Sequence, residues 1–241
     1  GVGVNYSSGD YGTSTNTEIL SIPFTARYDR GPLTLKATIP YLRITGGSTV
    51  IPGVGAVANT NPRGRGRGGT AAAPTTSTTA TASGLGDTVL SATYNVLYDT
   101  ASKFGVDVTG RAKIATADAD KGLGTGENDY GAQVDAYRTY DRTTVFGGIG
   151  YQVLGSSSFI QLRNVWNVNL GAAYKVDEQD SAGLSFDTRQ KVSDSASPQR
   201  ELTAFWTRRL DRTWKAQAYA LKGFANGSPD WGAGASVVYA F

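Results

Sequence analysis

Apolar and polar side chains alternate with period two over long stretches of the chain. Ala182, Leu184, Phe186 and Val192 stand on one face, and Gly183, Ser185, Asp187, Arg189 and Lys191 on the other. Phe104, Val106, Val108, Ala112 and Ile114 oppose Gly105, Asp107, Thr109, Arg111 and Lys113. Trp166, Val168, Leu170, Ala172, Tyr174 and Val176 oppose Asn167, Asn169, Gly171 and Lys175. This is the period of a β-strand with one apolar face. The runs last about 10–13 residues, whereas strands of soluble proteins run about 5–6 and a tilted bilayer-crossing strand about 9–11. Length therefore favours membrane-crossing strands.

The connections alternate as well. Short turns carrying aspartate fall at Asp29–Pro32, Asp99–Lys103, Asp141–Thr143, Asp177–Asp180 and Asp211–Thr213. Longer polar links fall at Asp10–Asn16, Gly46–Gly86, Ala117–Asp129, Gly155–Asn164, Ser193–Gln199 and Ala225–Asp230. Short periplasmic turns and longer extracellular loops are the pattern of an outer-membrane barrel. The marks predict twelve strands, at 2–9, 17–28, 33–45, 86–98, 104–116, 130–140, 144–155, 165–176, 181–192, 200–210, 214–224 and 231–241. The expected fold is all-β: one transmembrane, antiparallel, up-and-down barrel spanning 1–241. Its expected place is the outer membrane of a Gram-negative bacterium.

Aromatic positions test this independently. Tyr28, Tyr98, Phe104, Tyr140, Trp214, Tyr239 and Phe241 sit at the short-turn ends on outward faces, and Tyr6, Tyr130, Trp166 and Trp231 near the long-loop ends. Two such belts match the aromatic girdles of a bilayer-spanning barrel. A last strand ending on Phe241 resembles the signal read by the bacterial barrel-assembly machinery, an expected partner together with membrane lipid and lipopolysaccharide.

Composition narrows the chemistry. The chain has 241 residues, with no Cys, His or Met. Disulfides, thiolate zinc sites and histidine-based triads are thereby excluded. Without Met, Gly1 is not a translation start, which points to a cleaved leader. No stretch approaches the ~18 uninterrupted apolar residues of a transmembrane helix. The net charge of +3 is too weak to argue for nucleic acid. No enzyme activity and no cofactor is expected; a carboxylate pair such as Asp107 with Asp187 would be the sole acid–base candidate.

The inward positions then read as pore lining: Arg27, Lys36, Arg111, Lys113, Lys175, Arg189, Lys191 and Lys215 are basic, and Asp107, Asp135 and Asp187, with Glu201 near an end, are acidic. Charged rings select by sign, so the excess of bases predicts a mild anion preference, suited to small aromatic carboxylates. The competing expectation is that these charges pair across strands and fill the interior. The 46–86 link is long, rich in Gly, Thr and Ala, and contains Arg63-Gly-Arg-Gly-Arg67 and the tract Ala71–Ala82. It reads as a solvated extracellular loop, a constriction folded into the mouth, or a contact to a second protomer. If it constricts, deleting Asn59–Ala82 raises conductance. Asp118, Asp120, Glu127 and Asp129 offer oxygen donors for calcium, but without EF-hand spacing, and no metal is assigned. Small outward residues Ala216, Ala218, Ala220, Ala233 and Ala235 suit a protomer contact, which Ala218→Trp should break.

Three segments carry a family resemblance. They are GPLTLKATIPYLRITG at Gly31–Gly46, SGLGDTVLSATYNVLYD at Ser83–Asp99, and the stretch Phe104–Gly155 with its Thr125-Gly-Glu-Asn-Asp129 loop. They resemble the meta-pathway phenol-degradation family of outer-membrane proteins. The resemblance implies a twelve-stranded barrel and passage of small, aromatic compounds. A related branch exports functional-amyloid subunits as a trimer through a barrel with helical plug segments. Here the chain enters strand one almost at once, so no plug is expected. The function expected is a passive diffusion channel for small solutes. The alternative is a structural, anchoring or export barrel with a plugged lumen, possible as an oligomer, trimeric by analogy.

Overall fold

The computed structural model describes residues 1–65 and 79–240. Arg67, most of the Ala71–Ala82 tract and Phe241 therefore lie outside the described residues. Fifteen strands form: β1 (Val2–Gly9), β2 (Thr17–Arg30), β3 (Leu33–Gly46), β4 (Val50–Ile51), β5 (Gly55–Ala56), β6 (Ala80–Leu85), β7 (Thr88–Asp99), β8 (Phe104–Ile114), β9 (Asp129–Tyr140), β10 (Thr143–Val153), β11 (Val165–Lys175), β12 (Asp180–Arg189), β13 (Gln199–Arg209), β14 (Trp214–Gly223) and β15 (Trp231–Tyr239). Neighbours pair antiparallel in chain order, and β1 pairs with β15 to close the ring. With β6 and β7 forming one broken stave, the barrel has twelve staves. Closure leaves no free edge across the wall, which removes the usual liability of a long sheet.

The register confirms an outward apolar face. The row Tyr28, Leu35, Ala92 and Gly110 runs across β2, β3, β7 and β8, and Val108, Val134, Ile149 and Val168 run across β8 to β11. Leu170 on this face is 62 % exposed. In water such a surface would be an aggregation liability; the arrangement is apolar outside and polar within, as lipid requires. Three aromatic pairs brace it, Tyr6–Trp231 at 5.2 Å, Tyr151–Trp166 at 4.9 Å and Trp214–Tyr239 at 5.0 Å between ring centroids. Ala218 faces Ala235 and Ala220 faces Ala233 on the same outer side.

The fourth stave is longer than the expected strand 86–98: β7 matches that strand, and β6 continues the stave within the expected 46–86 link. Pro40 on β3 has no N–H, so the ladder cannot run straight past it. Gly86 N–H donates to the Pro40 carbonyl at 2.8 Å, and the chain jogs between Leu85 and Thr88 before pairing resumes. A second irregularity, a β-bulge between Asn95 and Leu97, inserts one residue into β7. It flips everything beyond it. Tyr98 therefore pairs with Gly105 on the inner face, and its expected place in the outer girdle is corrected. Tyr28, Phe104, Tyr140, Trp166, Trp214, Trp231 and Tyr239 occupy outward register positions.

The aspartate turns work through side-chain capping. Asp177 Oδ1 accepts from the amides of Gln179 at 2.7 Å and Asp180 at 2.8 Å, and Asp211 Oδ1 from Thr213 at 2.7 Å and Trp214 at 2.8 Å. These amide donors hold both carboxyls below the ordinary carboxylate value of 3.8. A depressed folded pKa means the stabilisation is present above the unfolded value and is lost as pH falls through the lower folded one. Amide exchange at Gln179, Asp180, Thr213 and Trp214, corrected for intrinsic rate, should accelerate as pH falls below the ordinary carboxylate value of 3.8 and through the lower folded values. Unchanged protection there would contradict the capping account.

Candidate functional site

The buried apolar side chains lie at the long-loop end of the barrel, where loops turn into the mouth. After β3 the chain folds back as the β4–β5 hairpin. Pro52-Gly53 forms its tip: Val54 N–H donates to the Ile51 carbonyl at 3.1 Å, and Gly53 has φ +75°. That is a type II turn, whose third position demands positive φ and hence glycine. Ile51, Val54 and Val57 pack on Leu154, Ile160, Val165 and Val192. Ile51 is 1 % exposed. Burial of such side chains contributes about 1.5–3 kcal/mol each, so the hairpin is docked rather than loosely draped. Across the mouth, Leu123 of the 115–128 link packs on Leu42 and Ile44.

Arginines latch the loop. Arg189, on the inner face of β12, donates from Nη1 to the Gly53 carbonyl at 2.9 Å and from Nη2 to the Val54 carbonyl at 2.7 Å. Arg65, 6 % exposed, donates to the carbonyls of Gly47 and Val50. Burial pushes Arg65 down to about 10, so it stays charged near neutral pH. Asn61 Nδ2 reaches Asp120 at 2.9 Å, tying this loop to its neighbour.

Under the hairpin tip a gap of about 110 Å³ remains, bordered by Pro52, Gly53, Arg111, Lys113, Asp129 and Arg189. A separate open groove of about 760 Å³ runs along β2, β3, β7, β8 and β9 on the outer face, lined mainly by the outward residues Ala26, Tyr28, Leu35, Leu90, Ala92 and Tyr130. Lys113 is neutralised: it lies 2.7 Å from Asp129 and 3.4 Å from Asp87, all three largely buried. Arg189 spends its donors on uncharged carbonyls, so its charge stays uncompensated by any ion pair among the described residues.

The acidic residues behave differently from the cross-strand pairing considered above. Asp107 faces Asp135, and Asp187 faces Glu201. Their partners are neutral: Asn95 donates to Asp107 at 2.6 Å, Gln133 to Asp135 at 2.7 Å, and Ser185 to Asp187 at 3.0 Å. Among the described residues, the inner face carries ion pairs at Lys113 and at the short-turn rim, not across the acidic residues of its middle. Asp107 and Asp187 are not neighbours.

One expected lining residue, Lys191, is corrected. Strand β12 ends at Arg189, two residues before Lys191, and Val192 turns inward onto the hairpin instead of outward. Lys191 sits in the loop, 4.0 Å from Asp194. Lys175 keeps the inward register but lies at the short-turn rim, bound to Glu178 at 3.1 Å. Arg27 is likewise near that rim and is gripped by Asp29 at 2.8 Å, and Lys215 pairs in register with Val238 there. The acids considered for calcium are dispersed: Asp129 binds Lys113, Asp118 binds Lys121, and Asp120 holds Asn61.

Aromatic rings on the inner face escaped the sequence reading. Tyr137, Phe146, Phe205 and Tyr219 lie over Gly105, Gly171, Gly183 and Gly234, where a Cβ would strike the ring. Tyr137 faces Phe146 across β9–β10, and Phe205 faces Tyr219 across β13–β14. The signal was present, since each ring stands on the polar parity of its strand opposite a glycine.

Neither a protein-family model nor a curated protein sequence matches the chain. Solved structures do. An outer-membrane channel from Pseudomonas putida F1 is similar over 100 % of this chain and 93 % of its own, with 14 % identity and a TM-score of 0.66. The NanC porin is similar over 100 % and 98 %, with 10 % identity and a TM-score of 0.56. The β domain of the Bordetella autotransporter BrkA is similar over 100 % and 98 %, with 12 % identity and a TM-score of 0.53. At these identities the likeness shows a shared fold, the closed antiparallel barrel of outer-membrane proteins.

Proposed function

We propose that the protein is an outer-membrane channel for passive diffusion of small solutes, with a preference for small amphipathic anions such as aromatic carboxylates. The observation that carries this is the constriction. The β4–β5 hairpin is latched to the wall by Arg189, leaving a narrow gap beside Arg111 and Lys113. An anion entering the gap meets two guanidinium groups, while Lys113 is already occupied. Below it, the inner rings Tyr137, Phe146, Phe205 and Tyr219 offer flat apolar surface to the rest of the solute. Structural likeness to porins and an outer-membrane channel supports the reading. In this setting the short turns face the periplasm and the long loops the exterior.

The test is single-channel recording of the purified chain in a planar bilayer with unequal salt. Steady openings with an anion-directed reversal potential are the expected result, and cation selectivity would refute the anion preference. A second reading is a closed, anchoring or export barrel. The docked loops at the mouth favour it, and the likeness to an autotransporter β domain is compatible with it. Silence despite verified insertion would select this reading.

A further inference from the structure

Outward cations stand at both ends of the barrel, and at the long-loop end two of them lie side by side beside exposed rings. At the short-turn end, Arg208 faces Asp180 at 3.6 Å and Arg138 lies 4.8 Å from the Tyr140 ring centroid. At the long-loop end, Arg200 on β13 and Lys222 on β14 have no ion-pair partner among the described residues. The register places both on the outer face. Lys222 pairs with Leu202 and Trp231, and Arg200 with Thr188. Phe224 N–H donates to the Arg200 carbonyl at 2.8 Å. Arg200 and Lys222 are thus diagonal neighbours, a relation that spans about 7–8 Å between strands. Two exposed rings, Phe224 and Trp231, flank them, and Trp231 belongs to the aromatic belt that marks the bilayer boundary.

A cation pair at that level faces headgroups rather than hydrocarbon. Arginine and lysine together match a phosphate: the guanidinium fork binds two oxygens and the ammonium adds a point charge. Directly below, Leu202, Ala204 and Ala220 form an apolar strip on the same face. We propose that Arg200 and Lys222 bind the phosphate of a phosphorylated lipid headgroup in the leaflet at the long-loop end. Phe224 and Trp231 flank the headgroup, and an acyl chain lies along Leu202. The proposal rests on the membrane-barrel reading but not on an open lumen.

The experiment uses the full chain, purified in detergent and mixed with bis-phosphorylated lipid A, with retention read by native mass spectrometry. The wild type should retain the lipid, and R200A/K222A should weaken retention about tenfold or more. R200K/K222R should restore much of it, and R30A/R212A, which removes two exposed turn cations at the other end, should leave it intact. Heat-modifiable gel mobility confirms that each variant is folded. Equal retention by wild type and R200A/K222A would overturn the proposal, as would equal retention of lipid A stripped of its phosphates. Thermal stabilisation by inorganic phosphate matching that by lipid A would show a free-anion site and overturn the lipid assignment. Vesicle flotation separates the two readings: a wild type that does not float with vesicles removes the membrane reading itself, whereas one that floats without retaining lipid A removes only this proposal.

Discussion

Replacing Val50–Val57 with a short Gly-Ser bridge should raise single-channel conductance about two- to fivefold, because the proposed conducting path passes the hairpin docked in the mouth. The expectation follows from where the hairpin sits. Its tip carbonyls bind Arg189 and its side chains pack on Leu154, Ile160, Val165 and Val192. With twelve staves, a barrel lies between eight-stranded barrels with filled interiors and sixteen-stranded porins with open channels, so the loop decides how much area remains. The barrel wall makes its own closed ladder and should fold without the hairpin. Arg189→Met gives a milder form of the same effect: it removes the latch, leaves the apolar contact, and should turn steady openings into flickering ones. Unchanged conductance in the bridged variant would mean that the hairpin does not bound the conducting path.

Arg111→Glu should reverse the selectivity from anions to cations. The substitution changes the charge beside the gap by two units while leaving the hairpin latch untouched. At about 5 Å in a water-like dielectric each unit is worth roughly 0.8 kcal/mol. Two units give about 1.7 kcal/mol, somewhat more than a tenfold change in permeability ratio. The reversal potential in a salt gradient measures it. Raising salt to about 1 M, where the screening length is about 3 Å, should erase most of the difference. Lys113→Gln serves as the contrast. Its ammonium is held by Asp87 and Asp129, so its loss uncovers two carboxylates and should also push selectivity toward cations, with a cost in stability that Arg111→Glu lacks. A reversal potential unmoved by Arg111→Glu would place the selective region elsewhere.

Strand positions were almost fully legible because they depend on local periodicity. Each of the twelve expected strands matches within three residues at each end, the fourth as β7; what the pattern missed is β6, set apart by Pro40 and the Gly86–Asp87 jog within the expected 46–86 link. The aspartate turns were legible for a related reason: Asp177 and Asp211 cap amides two and three residues ahead, so the whole interaction is contained in the motif. Faces followed from parity wherever the ladder was regular. They failed at Tyr98, where one bulged residue inverts the parity, and at Lys191, where the strand has already ended.

What the sequence determined by itself was therefore the set of local choices: period two, run length, turn chemistry, and the outward apolar face that suits lipid. Tertiary structure alone decided the site. Arg189 meets the Gly53 carbonyl across 136 residues of chain, a pairing that no spacing encodes. Lys113 finds Asp87 and Asp129 because β7, β8 and β9 are neighbours in register, while Asp107 and Asp135 are forced face to face by the same register. Whether a charge is free, neutralised or spent on a loop depends on which strands the closed barrel brings together. That closure is a property of the whole ring.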